Sequence, residues 1–352
     1  MTRLLLAALL AALPALADSS NTSARSVTRP ASGLYVIRHP DAPDGFPQSN
    51  TVVVIGAERV LVVDSCLLPS TTRQDVEEIR RWTKLPVTYL VNTHWHFDHT
   101  LGNATYAAAW PAVQIVAHAE TARKIASYNP GAVARYPQRA ERFRKMLDTG
   151  KQENGEPVSP ALRADLEKSI AGLQPVVDEF RTVRQRLVDL AFDQSLSLDL
   201  GGREVKLLWL GRANTAGDTI VWLPKERIAL VGDTLVHPVP YLFGGFPWDL
   251  PATLDRIAAL EPLVLIPGHG DTMTDLSYVR QTRDLVAEVN RAVEAAFNDG
   301  KKLPEVREAV ARSVDVPRYK KLFGGSDQDS LDTFEESFEG LVKASFEQES
   351  FR

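Results

Sequence analysis

Short apolar runs rich in β-branched residues recur along the first third of the chain and predict strands. Runs of four to eight Val, Ile, Leu and Tyr residues, bounded by turn-forming residues, are typical of strands that are largely buried. They occur at residues 33–37, 51–55, 60–63, 87–91 and 113–117. Residues 56–59 between two of these runs suit a hairpin connection, so the first block of the chain predicts a sheet.

Helical spacing of apolar positions appears in two places among and after these runs. At 71–82 the apolar residues fall on one side and charges lie elsewhere, which predicts an amphipathic helix. From about 120 to 192 the chain is rich in Ala, Arg, Glu and Leu, and residues 162–190 could form one long helix. We interpret this stretch as a helical insertion over one end of the domain, with a separate domain as the alternative.

A second block of strands follows the insertion. Its runs occur at residues 196–200, 205–210, 219–223, 228–231 and 263–266, with a helix predicted at 252–260. Residues 275–352 form a mostly helical, amphipathic C-terminal extension after a main domain at 33–274. Two strand blocks, each followed by helices, predict an α/β fold with two sheets sandwiched between helical layers.

The beginning of the chain has the pattern of an export signal. Arg3 precedes an apolar run at 4–13, and a small residue, Ala17, ends the segment. This order is typical of a secretory signal peptide at 1–17, and the run is shorter than the ~20 residues that span a bilayer. We expect an exported protein, periplasmic or secreted, without a membrane span after cleavage; a retained anchor is the alternative. Residues 18–32 are expected to be a flexible mature N-terminus.

Composition narrows the functional classes only modestly. The 352 residues are 44% hydrophobic and 24% charged, and the formal net charge is −5. That balance is ordinary for a globular protein, and the absence of a basic stretch argues against nucleic acid as a partner. Cys66 is the only cysteine, so no internal disulfide can form, and its place after an apolar strand favours a buried structural thiol.

The candidate chemistry is concentrated in one hexapeptide at the end of the 87–91 strand. It reads His94-Trp95-His96-Phe97-Asp98-His99. Residues two apart in an extended segment point the same way, so His94 and His96 can face one metal ion. Asp98 and His99 can face elsewhere after the chain turns. Imidazole and carboxylate suit zinc and similar divalent cations, so this density of ligands predicts a metal site.

Two more potential ligands end later strands. Asp233 follows the 228–231 strand in Gly-Asp-Thr, and His269 follows the 263–266 strand in Pro-Gly-His-Gly. Loops at strand ends commonly carry functional side chains. With the His-x-His-x-Asp-His motif, these segments resemble the metallo-β-lactamase superfamily in order and spacing, over roughly residues 33–271. The resemblance implies a four-layer αββα sandwich.

The same resemblance implies a division of the ligands between two metals. His94 and His96 would hold the first metal; Asp98, His99 and His269 would hold the second; and Asp233 would bridge the pair. The sequence departs from the family pattern where a third histidine is expected for the first metal, because Gly-x-x-His-Thr-x-Gly-Asp becomes Gly-Arg-Ala-Asn-Thr-Ala-Gly-Asp with Asn214 at that position. A neutral amide is a poorer zinc ligand than imidazole, so Asn214 is expected to be a weak or absent ligand.

These features predict a metal-dependent hydrolase with one or two Zn²⁺, or another divalent metal, acting on a small-molecule ester, lactone or lactam. Asp98 is the expected catalytic residue, since it could orient the attacking water, and β-lactamase activity is one candidate among several. His237, four residues after Asp233, could contact substrate, orient a ligand or only pack. The alternatives are a mononuclear iron-dependent sulfur oxygenase of the same fold and a non-catalytic metal-binding protein. The sequence leaves the oligomeric state open.

Overall fold

The computed structural model describes residues 24–152 and 155–351, and within them the chain folds around two β-sheets. The expected signal peptide at 1–17 lies outside the described residues. The first sheet has seven strands in the order of the chain, antiparallel from β1 to β4 and parallel from β4 to β7. Its strands are β1 (Ser26–Ala31), β2 (Leu34–Arg38), β3 (Thr51–Ile55), β4 (Val60–Val63), β5 (Val87–Val91), β6 (Gln114–His118) and β7 (Leu190–Phe192).

The second sheet has five strands in the order β12-β11-β10-β9-β8. Only the β11–β12 pair is parallel. Its strands are β8 (Ser195–Asp199), β9 (Glu204–Trp209), β10 (Thr219–Leu223), β11 (Ile228–Gly232) and β12 (Val264–Pro267). The strands predicted from apolar runs are therefore present, with bounds that are identical or shifted by one residue.

Alternating side chains explain why the two sheets stack. Val52 and Val54 of β3 face the second sheet and pack with residues such as Leu207 and Leu230, whereas Val53 faces the opposite way. The outward side chains of the first sheet pack on α1 (Pro69–Trp82) and α3 (Asn103–Ala109). Because successive strand residues point to opposite faces, each sheet buries one face on its neighbour and the other under helices.

The outer face of the second sheet is covered by α8 (Leu250–Ala259) and by the C-terminal extension. The extension consists of α9 (Ser277–Asn298), α10 (Leu303–Ser313), α11 (Val316–Gly324) and α12 (Gln328–Glu349). Buried side chains of α9, α10 and α12 share one cluster with β10 and β11, so the extension completes the core. The result is the expected αββα sandwich with a helical C-terminal extension.

Two expectations about chain segments need correction. The stretch 18–32 was expected to be flexible, yet Ser26–Ala31 form edge strand β1, paired with β2. The side chains of β1 are largely exposed, so its sequence has no apolar run that predicts a strand. Its proline is tolerated because β1 lies at the edge of the sheet. The expected long helix at 162–190 is α7 (Pro160–Phe180), which ends ten residues earlier.

The region between β6 and β7 is the helical insertion. It contains α4 (Ala119–Ser127), α5 (Asn129–Arg135), α6 (Gln138–Thr149) and α7. The expected insertion limit at 192 is too late, because Leu190–Phe192 return to the sheet as β7, parallel to β6. Three residues are too few to show a period of two. No described helix is both long and apolar enough to cross a lipid bilayer.

Candidate metal centre

The potential ligands gather at one edge of the sandwich, where strands of both sheets end. The parallel strands β4 and β5 end at this edge in one sheet, and the parallel strands β11 and β12 end there in the other. His94 and His96 follow β5, while Asp98 and His99 lie in α2 (Phe97–Thr100), a single helical turn. Crevices at the carboxyl ends of parallel strands are the usual place for binding sites in α/β folds.

One set of ligands, here called the four-donor group, consists of Asp98, His99, Asp233 and His269. One ligand atom from each lies within 4.8 Å of the others. The His269 Nε2 atom lies 3.1 Å from Asp98 Oδ2, and the His99 Nε2 atom lies 3.2 Å from the same oxygen and 3.3 Å from Asp233 Oδ1. The first three residues are buried and His269 is half-buried. Chain segments more than 170 residues apart thus meet at one point.

A second set, the three-donor group, consists of His94, His96 and Asp233, again with one ligand atom of each within 4.8 Å of the others. The His94 Nε2 atom lies 3.6 Å from Asp233 Oδ2, and the two imidazole rings are 4.6 Å apart between centroids. Asp233 therefore offers Oδ1 to one group and Oδ2 to the other. Asp233 thus lies between the two groups, and the bridging role that the resemblance implies for it stays a prediction.

Asn214 lies in the loop that joins β9 to β10. The loop is fixed by the Thr215 N–H, which donates to Asp218 at 2.7 Å, and by the Ala213 N–H, which donates to the Thr215 carbonyl at 3.1 Å. The Asn214 side chain is half-buried, and its amide nitrogen is buried without a hydrogen-bond partner among the described residues. Its expected role as a weak or absent ligand stays a prediction.

His237 lies beside the backbone of His269 rather than among the ligand atoms of either group. Its N–H donates to the His269 carbonyl at 3.2 Å, which ties the two loops together. Its ring packs on Tyr278 at 5.1 Å, and its Nδ1 atom is 3.8 Å from Asp271 Oδ2. Burial lowers the pKa of His237, so the ring is neutral at physiological pH. A contact with substrate stays a prediction.

Sequence reasoning missed Asp64, which directly follows β4. This buried carboxylate accepts from His99 Nδ1 at 2.7 Å and from the N–H and hydroxyl of Thr93, both at 2.8 Å. A carboxylate that bonds the far nitrogen of a ligand histidine fixes its tautomer and its orientation. The sequence signal that identified Asp233 is also present at Asp64, because each aspartate directly follows an apolar strand.

The protonation of the site shows an excess of negative charge. Burial alone would raise the pKa of the Asp98 and Asp233 carboxyls, but His99 and His269 outweigh it and hold both well below their usual range. Burial alone would lower the pKa of His99, but Asp233, Asp98 and Asp64 raise it well above its usual range. Three buried carboxylates thus surround one imidazole, an arrangement that a divalent cation would neutralise.

The three-donor group differs in its protonation. Burial and the neighbouring His99 lower the pKa of His94 well below its usual range, and burial lowers that of His96. Both rings are therefore neutral, as metal ligands must be. The buried His94 Nε2 atom has no hydrogen-bond partner in the part of the chain that the structure describes. The donor set, nitrogen and carboxylate oxygen, fits a divalent cation such as zinc.

Comparison with protein families gives one match to most of the chain. A family model described as "Metallo-beta-lactamase superfamily" matches residues 44–269. Those residues run from the loop after β2 to His269, so they contain both ligand groups and both sheets apart from the first two strands.

Individual relatives are distant. A metallo-beta-lactamase type 2 of Bacteroides fragilis is 32% identical over 88 residues, which are 23% of this chain and 34% of the relative. A 2,4-dinitroanisole O-demethylase subunit alpha of Nocardioides sp. (strain JS1661) is 24% identical over 223 residues, which are 62% of this chain and 52% of the relative. The matches thus span between a third and a half of these curated proteins.

Solved structures agree on the fold. A metallo-beta-lactamase from Pontibacter korlensis superimposes with a TM-score of 0.53 at 19% identity, covering 75% of this chain and 99% of that one. At this identity the likeness establishes the fold alone.

Proposed function

Because this chain belongs to the metallo-β-lactamase superfamily, we propose that it is an exported zinc-dependent hydrolase acting on an ester, lactone or lactam. Family membership itself supports a metal-dependent function of the hydrolase type. The observation that carries the proposal is the convergence of imidazoles and carboxylates from both sheets around the shared Asp233. A zinc ion held there supplies Lewis acidity and acidifies a water molecule at neutral pH.

The protein's own residues would position the reactants. Asp98 stays ionised at neutral pH because its pKa is held low, so it can accept a hydrogen bond from the attacking water. Asp64 holds His99 through Nδ1, which leaves Nε2 directed at the metal position. The backbone link between His237 and His269 holds the last ligand loop in place. Asp98 is therefore proposed to be the catalytic residue.

Asn214 decides how the two groups would share metal. Three outcomes are compatible with its chemistry: weak ligation with both metals bound, a single metal in the four-donor group, or an impaired site. The four-donor group has all its expected ligands and the Asp64 brace, so we favour the first two outcomes. In each of them the four-donor group retains its metal more firmly than the three-donor group.

The substrate class is inferred from the expected export and from one relative. Export, expected from residues 1–17, favours a small extracytoplasmic substrate. The Bacteroides fragilis relative makes a β-lactam a candidate, although it matches over only 88 residues. The carboxylate at Asp233 is unlike the cysteine of the most common class B β-lactamases, and in this the chain resembles the broader hydrolase branch.

The proposal is tested by metal analysis and a substrate panel on the purified protein. We expect zinc by elemental analysis and turnover of at least one of a chromogenic cephalosporin, an acyl-homoserine lactone and an aryl ester. Iron together with oxygen uptake on a thiol or persulfide substrate would support the oxygenase instead. Bound metal without turnover on any substrate would support the non-catalytic binding protein.

Export is tested separately. Expression of the full chain in a Gram-negative host, followed by fractionation and N-terminal sequencing, should give an extracytoplasmic product that begins at Asp18. An intact N-terminus in the membrane fraction would support the retained anchor, and an intact N-terminus in the cytoplasm would contradict export.

A further inference from the structure

Two neighbouring polar residues at the start of β3 are buried against the metal centre. Ser49 and Asn50 directly precede β3, which is paired with β2 on one side and with β4 on the other. Ser49 has 0% of its surface exposed and Asn50 has 4%, yet neither belongs to the four-donor or the three-donor group. Buried polar side chains must be hydrogen-bonded to offset the cost of losing water, so their partners indicate their role.

Asn50 holds the backbone on both sides of His269. Its Nδ2 atom donates to the carbonyl oxygens of Pro267 and Gly270, each at 3.0 Å. Its backbone N–H donates to the Gly268 carbonyl at 2.7 Å. Both side-chain partners are acceptors, so the amide nitrogen, with its two N–H groups, must face this loop. Three hydrogen bonds from one residue thus fix the backbone from which the His269 ring projects.

Ser49 makes the corresponding contact with the segment that carries Asp98. Its hydroxyl donates to the backbone carbonyl of Asp98 at 2.8 Å, and this bond is buried. Asp98 lies in α2, a single turn of four residues, and a helix this short is not stable without such outside contacts. Asp98 and His269 are 171 residues apart in the chain, yet both are hydrogen-bonded by one dipeptide.

The His269 loop is in turn packed against the loop that carries Asp233. The Gly268 N–H donates to the Gly232 carbonyl at 2.8 Å, directly beside Asp233. A β-carbon at Gly268 would lie 2.0 Å from Asp233 Oδ1, so the two loops touch through their backbones and only glycine fits. A shift of the backbone that Asn50 holds would therefore also disturb Asp233.

The dipeptide is itself anchored away from the centre. The preceding residue, Gln48, is buried, and its Nε2 atom donates to the Pro40 carbonyl at 2.9 Å. Its Oε1 atom accepts from the N–H of Leu68, the residue that caps the start of α1, at 3.3 Å. Ser49 and Asn50 therefore project from a support that a helix fixes on one side and a sheet on the other.

We propose that Ser49 and Asn50 are positioning residues, which keep the segments of Asp98 and His269 at the separation that a divalent cation requires. They contact the backbone of these segments and act only through the ligands. The inference rests on the proposed function, since it takes the four-donor group to be a metal site. Contacts that orient metal ligands are commonly worth ten- to hundredfold in metal affinity, because a site that is already ordered need not rearrange when the cation binds.

Zinc affinity, measured in competition with a chelator, separates positioning from stability. Asn50→Ala should weaken the tighter zinc-binding step about ten- to hundredfold, because the backbone around His269 is no longer held. Asn290→Ala is the matched control: Asn290 of α9 is also 4% exposed, and its Nδ2 atom donates to the Pro247 carbonyl at 2.8 Å. Both variants should have a lower Tm, but the control should bind zinc like the wild type. Equal zinc affinity in Asn50→Ala and the wild type would overturn the proposal.

Ser49→Ala is the milder variant, and it keeps the test available if Asn50→Ala does not fold. It removes one hydrogen bond to the Asp98 backbone and should weaken the tighter zinc-binding step about three- to tenfold. Ser337→Ala is its control, because Ser337 is buried on α12 and its hydroxyl donates to the Pro240 carbonyl. The control should keep the zinc affinity of the wild type. Unchanged affinity in Ser49→Ala would contradict the role of Ser49.

Hydrogen exchange of the metal-free protein gives a readout that needs neither metal nor turnover. The N–H groups of Gly268 and His237 donate to carbonyls of the adjoining loops, so both should exchange slowly in the wild type. Asn50→Ala should speed their exchange about tenfold, while exchange in α9 stays unchanged. Faster local exchange in a protein that binds no metal would support the ordering of this loop by Asn50 and contradict the proposed function. Zinc binding and hydrolysis that are the same in Asn50→Ala as in the wild type would contradict the positioning role alone.

Discussion

The four-donor and three-donor groups share Asp233 but are supported very differently. In the four-donor group, the Nδ1 atom of His99 bonds the buried Asp64 carboxylate at 2.7 Å. In the three-donor group, the Nδ1 atom of His94 meets only the Thr93 hydroxyl, at 3.1 Å. An imidazole backed by a carboxylate is a stronger base and a better-oriented ligand than one backed by a neutral hydroxyl.

Charge widens the same difference. The four-donor group contains the Asp98 carboxylate besides the shared Asp233, whereas the three-donor group has only neutral imidazoles beside it. Once His99 and His269 have lost their protons, a divalent cation is therefore attracted more strongly to the first group. The two halves of the centre thus differ in how their ligands are supported, and the role of Asn214 as a weak or absent donor to the three-donor group stays a prediction.

The largest expected effect comes from removing the residue that both groups share. Asp233→Asn keeps the shape of the side chain but removes the negative charge and one metal-binding oxygen. Mutation of a residue that only hydrogen-bonds a metal ligand typically lowers metal affinity or activity ten- to hundredfold. Loss of a ligand that both groups share should therefore lower kcat/KM more than a hundredfold. Elemental analysis after dialysis should show loss of metal from both groups.

Asp271→Asn is the matched control, because Asp271 contacts Arg38 and His237 and belongs to neither group. It should retain the metal content of the wild type. Full metal retention in Asp233→Asn would show that the two groups do not depend on a common ligand, and the comparison would lose its basis.

The two groups should also respond differently to pH. The pKa of His99 is raised well above its usual range and that of His269 is raised, so without metal at least one proton must leave the four-donor group before a cation binds. Zinc affinity there should rise about tenfold per pH unit, or about a hundredfold from pH 6 to pH 8. His94 and His96 have lowered pKa values and lose their protons at lower pH than His99 and His269, so affinity in the three-donor group should depend less on pH.

Competition titrations with a zinc chelator at pH 6, 7 and 8 resolve the two binding steps. Calorimetry in two buffers of different ionisation enthalpy should show proton release for the tighter step only. A weaker step that releases more protons than the tighter one would reverse the assignment of the two affinities.

The sequence predicted the fold well because the apolar runs are distinct and their spacing is regular. Every run assigned as a strand is one, from β2 to β12. The sequence did not predict β1 and β7, for different reasons. The side chains of β1 are mostly exposed, and β7 has only three residues. Both are recruited by backbone pairing to an existing sheet, which leaves little trace in the residue pattern.

For the candidate site, the sequence identified the side chains that converge, but not the residues that hold them in place. His94, His96, Asp98, His99, Asp233 and His269 all lie where their ligand atoms converge. Asp64 was missed because a lone aspartate after a strand is usually a turn residue, and only the fold brings it to His99. Ser49 and Asn50 were missed because the ligand loops that they hold come from distant parts of the chain, which no local motif connects.

Removing the carboxylate brace should affect one group alone. Asp64→Asn keeps an oxygen that can accept a hydrogen bond from Thr93, but it removes the negative charge that faces the Nδ1 atom of His99. Zinc affinity of the four-donor group should fall ten- to hundredfold, with the three-donor group nearly unchanged. Asp75→Asn is the matched control. Asp75 is a buried carboxylate that belongs to neither ligand group, and its Oδ2 atom lies 3.0 Å from the Nε2 atom of His39. It should lower Tm without changing zinc affinity; equal losses of affinity in both variants would mean that Asp64 acts only through stability.

Restoring an imidazole at position 214 is the gentlest change and the most direct test of the asymmetry. Asn214→His offers the three-donor group a better ligand, so the weaker zinc should bind roughly tenfold more tightly, with activity rising if the second metal contributes to hydrolysis. Asn214→Gln keeps an amide and should leave the weaker affinity as it is or lower it. If the histidine variant changes neither metal content nor activity, Asn214 is already adequate for this protein, and the difference between the two groups resides in Asp98 and the Asp64 brace rather than in the missing imidazole.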